Sequence, residues 1–578
     1  MGDILFLVLR RMRAPLIALI LAYAISVLGL VLVPGQDGTG APARMGFFHA
    51  FYVVSYTATT IGFGELPWVF TDAQRAWVTF TIYLSVTCWA YTVGSIFALV
   101  QDQTFRGAVA RSRFAGRVRL LDEPFYILVG YGQSGTSLAH AFDDLGVRSV
   151  ILELRPERAA RPDIEIFHEQ PLALAADARW PDVLRDAGVT HPRCKALVVM
   201  VSEDEVAQAV AIGASALNPR LPVIARVHSA LARDNLEGFG NITVIDPFET
   251  FGTNLRLSIS APAVLWVEEW LSSVPGSSCP RPASIPRGHW LILGYGRFGH
   301  AVAQALEETG STWEAIDTDL KLPDHPHLRH CNNSVQSLNQ AGIEQAVGVV
   351  ACTDRDATNL ALISRARKLK PDLCVIIRQN HVADRSLIEA AQADMCFVKA
   401  DVMVRECLQL LVAPLLNRFL MEIRARGPAL AEAVAVRLLT ELEERVPHIW
   451  SFACLAAYPG LREVLADGCP SPLRLGELLI NPTDPSQRLA AVALVLLRGN
   501  DTHFLPDADM VLASGDHILF AGRAGVESLQ GRFLLDPSPV SYVRTGIEPP
   551  RTWLFRWAAR HAEQRRHRRR TAAAPRHG

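Results

Sequence analysis

Two long apolar segments near the start of the chain dominate its hydropathy pattern. Residues 16–33 and 76–100 contain no Asp, Glu, Lys or Arg, and an α-helix needs ~20 such residues to cross the hydrocarbon core of a bilayer. A cleaved signal peptide is the weaker interpretation of the first segment, because no small-residue cleavage site follows it directly and Pro34-Gly35 is typical of an exit turn. The pattern therefore predicts two membrane-spanning helices.

Basic residues are distributed unequally around these two segments. They cluster at residues 10–13 before the first span and at 106–119 after the second, whereas only Arg44 and Arg75 lie between the spans. Short basic segments are retained on the cytoplasmic side of a membrane. We therefore expect a multi-pass protein of the cell (plasma or inner) membrane, with both termini in the cytosol.

A third apolar stretch, at residues 47–56, lies between the spans and is too short to cross a bilayer. It leads into Thr-Thr-Ile-Gly-Phe-Gly at residues 59–64, followed by Glu65. Irregular backbone is tolerated at membrane depth only where protein buries it or where it lines water. The pattern predicts a half-helix followed by a re-entrant loop.

The chemistry of this loop resides in its backbone carbonyl groups. Gly62 and Gly64 can adopt φ angles that are closed to other residues, which lets successive carbonyls point toward one axis. The segment resembles the Thr-Val-Gly-Tyr-Gly selectivity filter of potassium channels, in which carbonyl oxygens replace the hydration shell of K⁺. The filter candidates are Thr60, Ile61, Gly62, Phe63 and Gly64, with the carbonyls of the first four as K⁺ ligands. Phe63 lacks the Tyr hydroxyl that usually braces such a filter.

A dinucleotide-binding pattern occurs twice in the remainder of the chain. A buried strand at residues 125–129 and another at 290–293 each open into Gly-x-Gly-x-x-Gly, and an acidic residue ends the following strand. The glycines permit a tight turn and close approach of a pyrophosphate, and the carboxylate binds the ribose hydroxyls. The candidate nucleotide-binding residues are Gly130, Gly132, Gly135 and Glu153 in the first copy, and Gly294, Gly296, Gly299 and Asp317 in the second.

A two-span pore followed by two such repeats resembles the potassium channels that carry RCK domains, also called Trk-type NAD-binding domains. The predicted fold class is a membrane α module, with two helices and a re-entrant loop, plus α/β: two tandem Rossmann-like RCK domains and a small C-terminal α+β lobe. The predicted boundaries are a pore module at 1–105, a gating linker at 106–122, a first RCK domain at 123–274, a linker at 275–288, a second RCK domain at 289–425, the lobe at 426–535 and a basic tail at 536–578.

This resemblance implies an assembly and a ligand-gated mechanism. Because one loop cannot encircle an ion, we expect a homotetramer, with eight RCK domains in a cytoplasmic ring. A ligand then opens or closes the pore through the 106–122 linker. The resemblance also raises calcium as a second ligand, with the carboxylates of Glu203-Asp204-Glu205, or of Asp354 with Asp356, as contributors, although helix starts in solvent explain such carboxylates more simply.

The identity of the nucleotide depends on the two acidic residues. Glu153 and Asp317 favour an unmodified ribose diol and repel a 2′-phosphate, which predicts NAD(H) or an adenine nucleotide such as ADP or ATP rather than NADP. Arg155 complicates the first site because arginine accepts extra phosphate, whereas Asp319 holds the corresponding place in the second. The alternative for each repeat is a Rossmann fold retained for assembly without a ligand.

Composition excludes several other classes of protein. Lys+Arg 57 against Asp+Glu 58 gives a net charge of -1, so no overall field recruits nucleic acid. The 10 cysteines include no Cys-x-x-Cys pair, which argues against a disulfide scaffold or a zinc module. The arginine-rich segment 551–578 is either a contact for anionic lipid head groups or a solvated tail.

Two other functions compete with a ligand-gated potassium channel. A membrane-anchored NAD-dependent oxidoreductase would use both dinucleotide folds, but no substrate domain with a convincing His/Asp or Tyr/Lys pair follows either glycine motif. A regulatory subunit of a potassium transporter would not need a filter of its own. The channel hypothesis alone accounts for residues 59–64, and it predicts that the protein is not an enzyme.

Overall fold

The computed structural model describes residues 2–273, 275–279, 281, 284–319, 325–331, 334–412, 414–466 and 468–547. The arginine-rich segment 551–578 lies outside these residues. The described chain forms two compact units. The first unit contains the chain up to Gly130 together with Gly146–Leu197 and Gly213–Leu221, and the second contains the rest.

The N-terminal elements include the two predicted spans. They are α1 (Gly2–Leu32), β1 (Pro34–Gln36), β2 (Pro42–Arg44), α2 (Phe47–Ala58), α3 (Asp72–Gln101) and α4 (Gln103–Arg119). Within α1 the segment Val8–Leu32, and the whole of α3, are long and apolar enough to cross a membrane. Thr71 and Gln74 form a capping box that starts α3. The half-helix α2 packs between the spans through Ala50, Val53 and Val54.

The first repeat follows as alternating strands and helices. Its strands are β3 (Phe125–Val129), β4 (Arg148–Glu153), β5 (Leu172–Ala175), β6 (Cys194–Val199), β7 (Val223–Arg226) and β8 (Ile242–Ile245). Its helices are α5 (Gln133–Asp144), α6 (Pro156–Ala159), α7 (Pro181–Asp186), α8 (Asp204–Leu217), α9 (Ala230–Glu237), α10 (Pro247–Ser260) and α11 (Pro262–Ser272). The strand order is β5-β4-β3-β6-β7-β8.

The second repeat has the same plan. Its strands are β9 (His289–Leu293), β10 (Thr312–Asp317), β11 (Leu328–His330), β12 (Gly348–Ala351), β13 (Cys374–Gln379) and β14 (Met395–Val398). Its helices are α12 (Arg297–Glu308), α13 (Val335–Gln340), α14 (Asp356–Leu369), α15 (Arg385–Ala390) and α16 (Lys399–Val412). The strand order β11-β10-β9-β12-β13-β14 is again the doubly wound order of Rossmann folds. The predicted tandem Rossmann-like fold is confirmed, and β5 and β11 are strands that sequence reasoning missed.

The C-terminal lobe is an antiparallel sheet with flanking helices. Its elements are α17 (Pro414–Arg426), α18 (Pro428–Leu442), β15 (His448–Cys454), α19 (Leu475–Leu478), β16 (Ala491–Arg498), β17 (Asp501–Phe504), β18 (Asp516–Gly522), α20 (Val526–Leu535) and α21 (Ser538–Thr545). The strand order is β15-β18-β16-β17. This mixture of helices and antiparallel strands agrees with the predicted α+β lobe.

The last helix of the first repeat packs in the core of this lobe. Trp266 and Trp270 of α11 stack at a centroid distance of 5.1 Å and are buried with residues of α17, α18 and β16. The segment predicted as an inter-domain linker is held to the lobe as well, since the N–H of Gly276 donates to the carbonyl of Val446 at 2.8 Å. The first repeat thus shares one hydrophobic core with the lobe.

The predicted gating linker is a helix attached to the first repeat. Asp102 separates α4 from α3 by a single residue and caps α4 by accepting from the N–H of Phe105 at 3.1 Å. The apolar face of α4 is buried at Phe114 and Val118. Arg111 donates to Asp186, the last residue of α7, at 2.5 Å. The second span therefore continues, with one break, into a helix fastened to the first repeat.

A buried ion pair joins α11 to α17. Arg424 Nε donates to Glu268 Oε1 at 2.6 Å, and Arg424 Nη2 donates to Oε2 at 2.9 Å. The Glu268 side chain is only 6% exposed, and burial raises its pKa although the Arg424 guanidinium opposes this shift. The carboxylate depends mainly on Arg424, with the charge of Arg405 as a weaker contribution, because a buried charge without a partner is costly.

Arg424→Met is expected to destabilise the protein by about 3 kcal/mol, because it leaves Glu268 buried and unpaired. The melting temperature of the purified full-length protein measures this effect. Adding Glu268→Gln to Arg424→Met should recover part of the loss. The control Arg385→Met removes an exposed i,i+4 pair with Glu389 and should change stability by less than about 0.5 kcal/mol. Equal effects of the two single substitutions would contradict the assignment.

Candidate functional sites in the pore loop and the glycine turns

The pore loop begins where α2 ends and has an alternating backbone. The N–H groups of Ile61 and Gly62 donate to the carbonyl of Tyr56, at 2.9 and 3.3 Å. Positive φ angles then occur at every second residue: 62° at Thr60, 67° at Gly62 and 94° at Gly64. Thr60 is a non-glycine residue in the left-handed region, which is uncommon and costs energy. A backbone that alternates in this way can turn successive carbonyls toward a common side.

Aromatic side chains of the half-helix hold the loop in place. The ring of Phe63 stacks on Tyr52 at a centroid distance of 6.2 Å and meets the edge of Tyr56 at 5.6 Å. The Tyr56 hydroxyl donates to the carbonyl of Gly64 at 2.5 Å. Sequence reasoning noted the hydroxyl that Phe63 lacks but missed the one that Tyr56 supplies from the preceding helix.

Glu65 fixes the far end of the loop to the start of α3. Arg75 donates to both carboxylate oxygens of Glu65, at 2.8 and 3.2 Å, and the N–H of Phe70 donates to it at 2.9 Å. The loop is therefore tied down on both sides, by the tyrosines of α2 before it and by an ion pair after it.

The second glycine turn gives each of its three glycines a different role. Gly294 has φ of 105°, and its N–H donates to the carbonyl of Ile316 at 2.9 Å. A Cβ on Gly299 would lie 2.3 Å from the carbonyl oxygen of Gly294, whereas a Cβ on Gly296 would meet nothing within 4 Å. Gly296 thus leaves open space at the N-terminus of α12, and Gly299 allows the helix to pack against the turn.

Asp317 ends β10 beside this turn. Its Oδ2 accepts from the N–H of Tyr295 at 2.5 Å, and its Oδ1 accepts from the N–H of Asp319 at 2.8 Å. An ionised carboxylate has about four acceptor sites. Two backbone bonds therefore orient Asp317 toward the turn and leave acceptor capacity for ribose hydroxyls.

The residues of the first glycine motif have similar local surroundings. Gly130 has φ of 97°, and its N–H donates to the carbonyl of Leu152 at 2.8 Å. Gly132 is the N-cap of α5, and Gly135 is buried within that helix. Glu153 ends β4, is 7% exposed and accepts from the N–H of Arg155 at 3.0 Å.

Two of the carboxylates considered for calcium, Asp204 and Asp356, are engaged by the backbone. Asp204 accepts from the N–H groups of His228 and Ser229, and Asp356 accepts from those of Asn380 and His381. Both residues start helices, as predicted, but Asp356 is only 2% exposed rather than solvated. Among the described residues, no group of three His, Cys, Asp or Glu side chains is placed to hold a metal ion.

Comparison with known proteins agrees with this architecture. Residues 16–102 match the family model described as ion channel, and residues 126–247 and 290–399 each match the TrkA-N domain. Potassium channel protein 1 of Methanocaldococcus jannaschii is 26% identical over 45% of this chain and 73% of its own. Probable potassium channel protein 2 of the same organism is 22% identical over 43% and 68%. The solved structure of the GsuK channel bound to NAD is 16% identical, covers 92% of this chain and 99% of its own, and has a TM-score of 0.44.

The pore module and the two TrkA-N domains define the class: an ion channel of the membrane with regulatory α/β domains. More narrowly, these matches and the likeness to potassium channel proteins support a potassium channel with RCK domains. The expectation of a channel rather than an enzyme is confirmed by these matches.

Gly296 and Gly299 of the second turn are expected to respond differently to one added methyl group. Gly299→Ala is expected to lower the melting temperature, because a clash with backbone typically costs about 1–3 kcal/mol or more. Gly296→Ala should leave it nearly unchanged, since its Cβ would enter open space at a φ of -75°. Thermal unfolding of both variants checks the pair, and a Gly299→Ala protein as stable as the wild type would refute the packing role.

Proposed function

We propose that residues 60–64 form the selectivity filter, with the carbonyls of Thr60, Ile61, Gly62 and Phe63 as K⁺ ligands. The observation that carries this proposal is the alternation of positive φ angles along a loop braced by Phe63 and Tyr56. A dehydrated cation needs a ring of oxygens in place of water, and carbonyls supply them without net charge. The C-terminal end of α2 adds a negative helix dipole, which favours cations.

The functional unit is a homotetramer around the filter. One copy of the loop contributes carbonyls from one side only, so a closed cage requires symmetric copies. In the single chain Ile61 is 60% exposed and Phe63 is 59% exposed. Exposed apolar side chains beside a functional loop are typical of a surface that another protein copy covers.

Gly62→Val is expected to abolish K⁺ flux, because a β-branched residue is an outlier at a φ of 67°. Flux of purified protein in liposomes measures the effect. The control Gly46→Ala lies just before α2 at a φ of -70° and should conduct. Full flux in Gly62→Val would exclude residues 60–64 as the filter, provided that size-exclusion chromatography gives the same assembly for both proteins.

The gating ligand in this proposal is NAD(H) or an adenine nucleotide on the second glycine turn. Gly296 leaves room for a pyrophosphate at the N-terminus of α12, where free N–H groups and the helix dipole attract anions. Asp317 faces the turn and would accept from both ribose hydroxyls, which disfavours a 2′-phosphate. The first motif, from Gly130 to Glu153, is a second candidate site for the same class of ligand.

The path from ligand to pore runs through α4. A ligand can shift the equilibrium between the open and the closed pore only to the extent that it binds the ring more tightly in one of these two states. The Arg111–Asp186 bond and the buried Phe114 fasten α4 to the first repeat, and Asp102 alone separates α4 from α3. We place these domains in the cytosol, eight per tetramer, below a pore in the cell membrane.

Gly296→Val should abolish nucleotide binding while the fold survives, because the added side chain fills the space reserved for the pyrophosphate. Thermal shift of the full-length protein with NAD, NADH, ADP and ATP measures binding. Gly238→Ala, at another position with no atom within 4 Å of the new Cβ, is the matched control. A Gly296→Val protein that responds to nucleotides like the wild type would exclude the second turn.

A further inference from the structure

The break between α3 and α4 is built around the two carboxylate oxygens of Asp102. Its Oδ1 accepts from the N–H of Phe105 at 3.1 Å and from the hydroxyl of Thr104, which caps the start of α4. Its Oδ2 lies 2.8 Å from Nη1 of Arg11 in α1. One side chain therefore starts α4 and joins it to α1.

Arg106 closes the other side of the break. Its Nε donates to the carbonyl of Val100 at 2.8 Å, and the N–H of Asp102 donates to the carbonyl of Leu99 at 3.2 Å. Carbonyls in the last turn of a helix lack partners within that helix, so these two bonds satisfy the end of α3. The junction between the two helices is thus bonded on both sides and has a defined geometry.

Helix α1 is held against α3 at two further levels. The indole Nε1 of Trp77 donates to the carbonyl of Ser26 at 3.1 Å. Nearer the start of α1, the hydroxyl of Thr92 donates to the carbonyl of Pro15 at 3.4 Å. Arg11 lies about one helical turn before Pro15. The packing of α1 on α3 therefore places the Arg11 side chain beside the break.

The neighbouring arginines of α1 do not share this contact. Arg10 and Arg13 are exposed, and among the described residues neither forms an ion pair with a carboxylate. Successive side chains on an α-helix point about 100° apart, so the three arginines face different directions. They carry the same charge and differ in contact, which makes Arg10 a matched control for Arg11.

We propose that Arg11 is a positioning residue for gating: through Asp102 it holds the start of α4 beside α1 and so stabilises one state of the pore. This inference rests on the proposed function, in which α4 carries the effect of the ligand to α3. A movement of α4 away from α1 separates the Arg11 guanidinium from the Asp102 carboxylate. The ion pair therefore favours the conformation of this structure over one in which α4 has moved.

The pair is partly exposed, so its effect in each subunit is small. The exposed fraction is 55% for the Arg11 side chain and 18% for that of Asp102, and an exposed ion pair changes an equilibrium constant by about two- to fivefold. In a homotetramer whose four junctions move together these factors multiply, so that a twofold effect in each copy becomes roughly 16-fold. A weak contact therefore has a measurable effect on gating.

Arg11→Gln and Asp102→Asn test this role from both sides of the pair, by single-channel recording of the full-length protein in planar lipid bilayers. Asparagine is as good an N-cap as aspartate, so Asp102→Asn removes the charge and keeps the start of α4. Each variant should change the ratio of open to closed time by about tenfold, both in the same direction. The double variant should change it no further, since the two residues act through one contact. Arg11→Lys should retain most of the wild-type ratio, and Arg10→Gln should leave it unchanged.

Hydrogen exchange at the start of α4 gives a second measurement, which does not need conduction. The N–H of Phe105 donates to the side chain of Asp102, and the N–H of Arg106 donates to the carbonyl of Asp102 at 3.0 Å. In lipid nanodiscs these two amides should exchange about two- to fivefold faster in Arg11→Gln than in the wild type. Arg10→Gln should exchange at the wild-type rate.

The two measurements separate a failure of this inference from a failure of the proposed function. If the wild type does not conduct K⁺, the proposed filter is wrong, and hydrogen exchange alone decides the role of Arg11. A wild-type open-to-closed ratio in Arg11→Gln would overturn the inference, as would equal effects of Arg10→Gln and Arg11→Gln. Additive effects in the double variant, or unchanged exchange in Arg11→Gln, would also overturn it.

Discussion

The backbone of residues 60–64 is the feature on which the proposed filter depends. A backbone carbonyl without a partner is costly at membrane depth, and the φ angle of this loop is positive at every second residue from Thr60 to Gly64. The loop keeps this shape because Tyr56 binds the carbonyl of Gly64 and Phe63 packs on the half-helix. The backbone strain at Thr60 is tolerated because the free energy gained from these contacts is larger than the cost of the strain.

The part of the chain after α4 meets a different electrostatic constraint. In its repeats, Arg378 and Lys399 at strand ends converge on Phe248, where like charges repel, and the charge of Asp246 offsets part of that repulsion. The same part is otherwise strongly cohesive, since α11 of the first repeat and the C-terminal lobe share one apolar core.

Much of this architecture follows from local patterns. The two spans, the half-helix and both glycine turns were predicted from hydropathy and glycine spacing, because each depends on a few neighbouring residues. The strands β5 and β11 were missed because Leu-Ala-Leu-Ala at β5 has no β-branched or aromatic residue, and Leu-Arg-His at β11 has one apolar residue. The linker helix α4 was not recognised as a helix because its basic residues obscure a narrow apolar face, which becomes evident only where Phe114 and Val118 are buried.

The sequence by itself determined the class of protein. A filter-like loop between two spans and a duplicated dinucleotide-binding motif can each be recognised from a short run of contiguous residues. Only the tertiary structure decided which distant groups meet. Tyr56 reaches Gly64 across a turn, Arg111 reaches Asp186, and Arg424 reaches Glu268. Such contacts depend on how sheets and helices pack against each other. No local sequence pattern predicts them, because the free energy that favours this packing comes from burial of the whole apolar core.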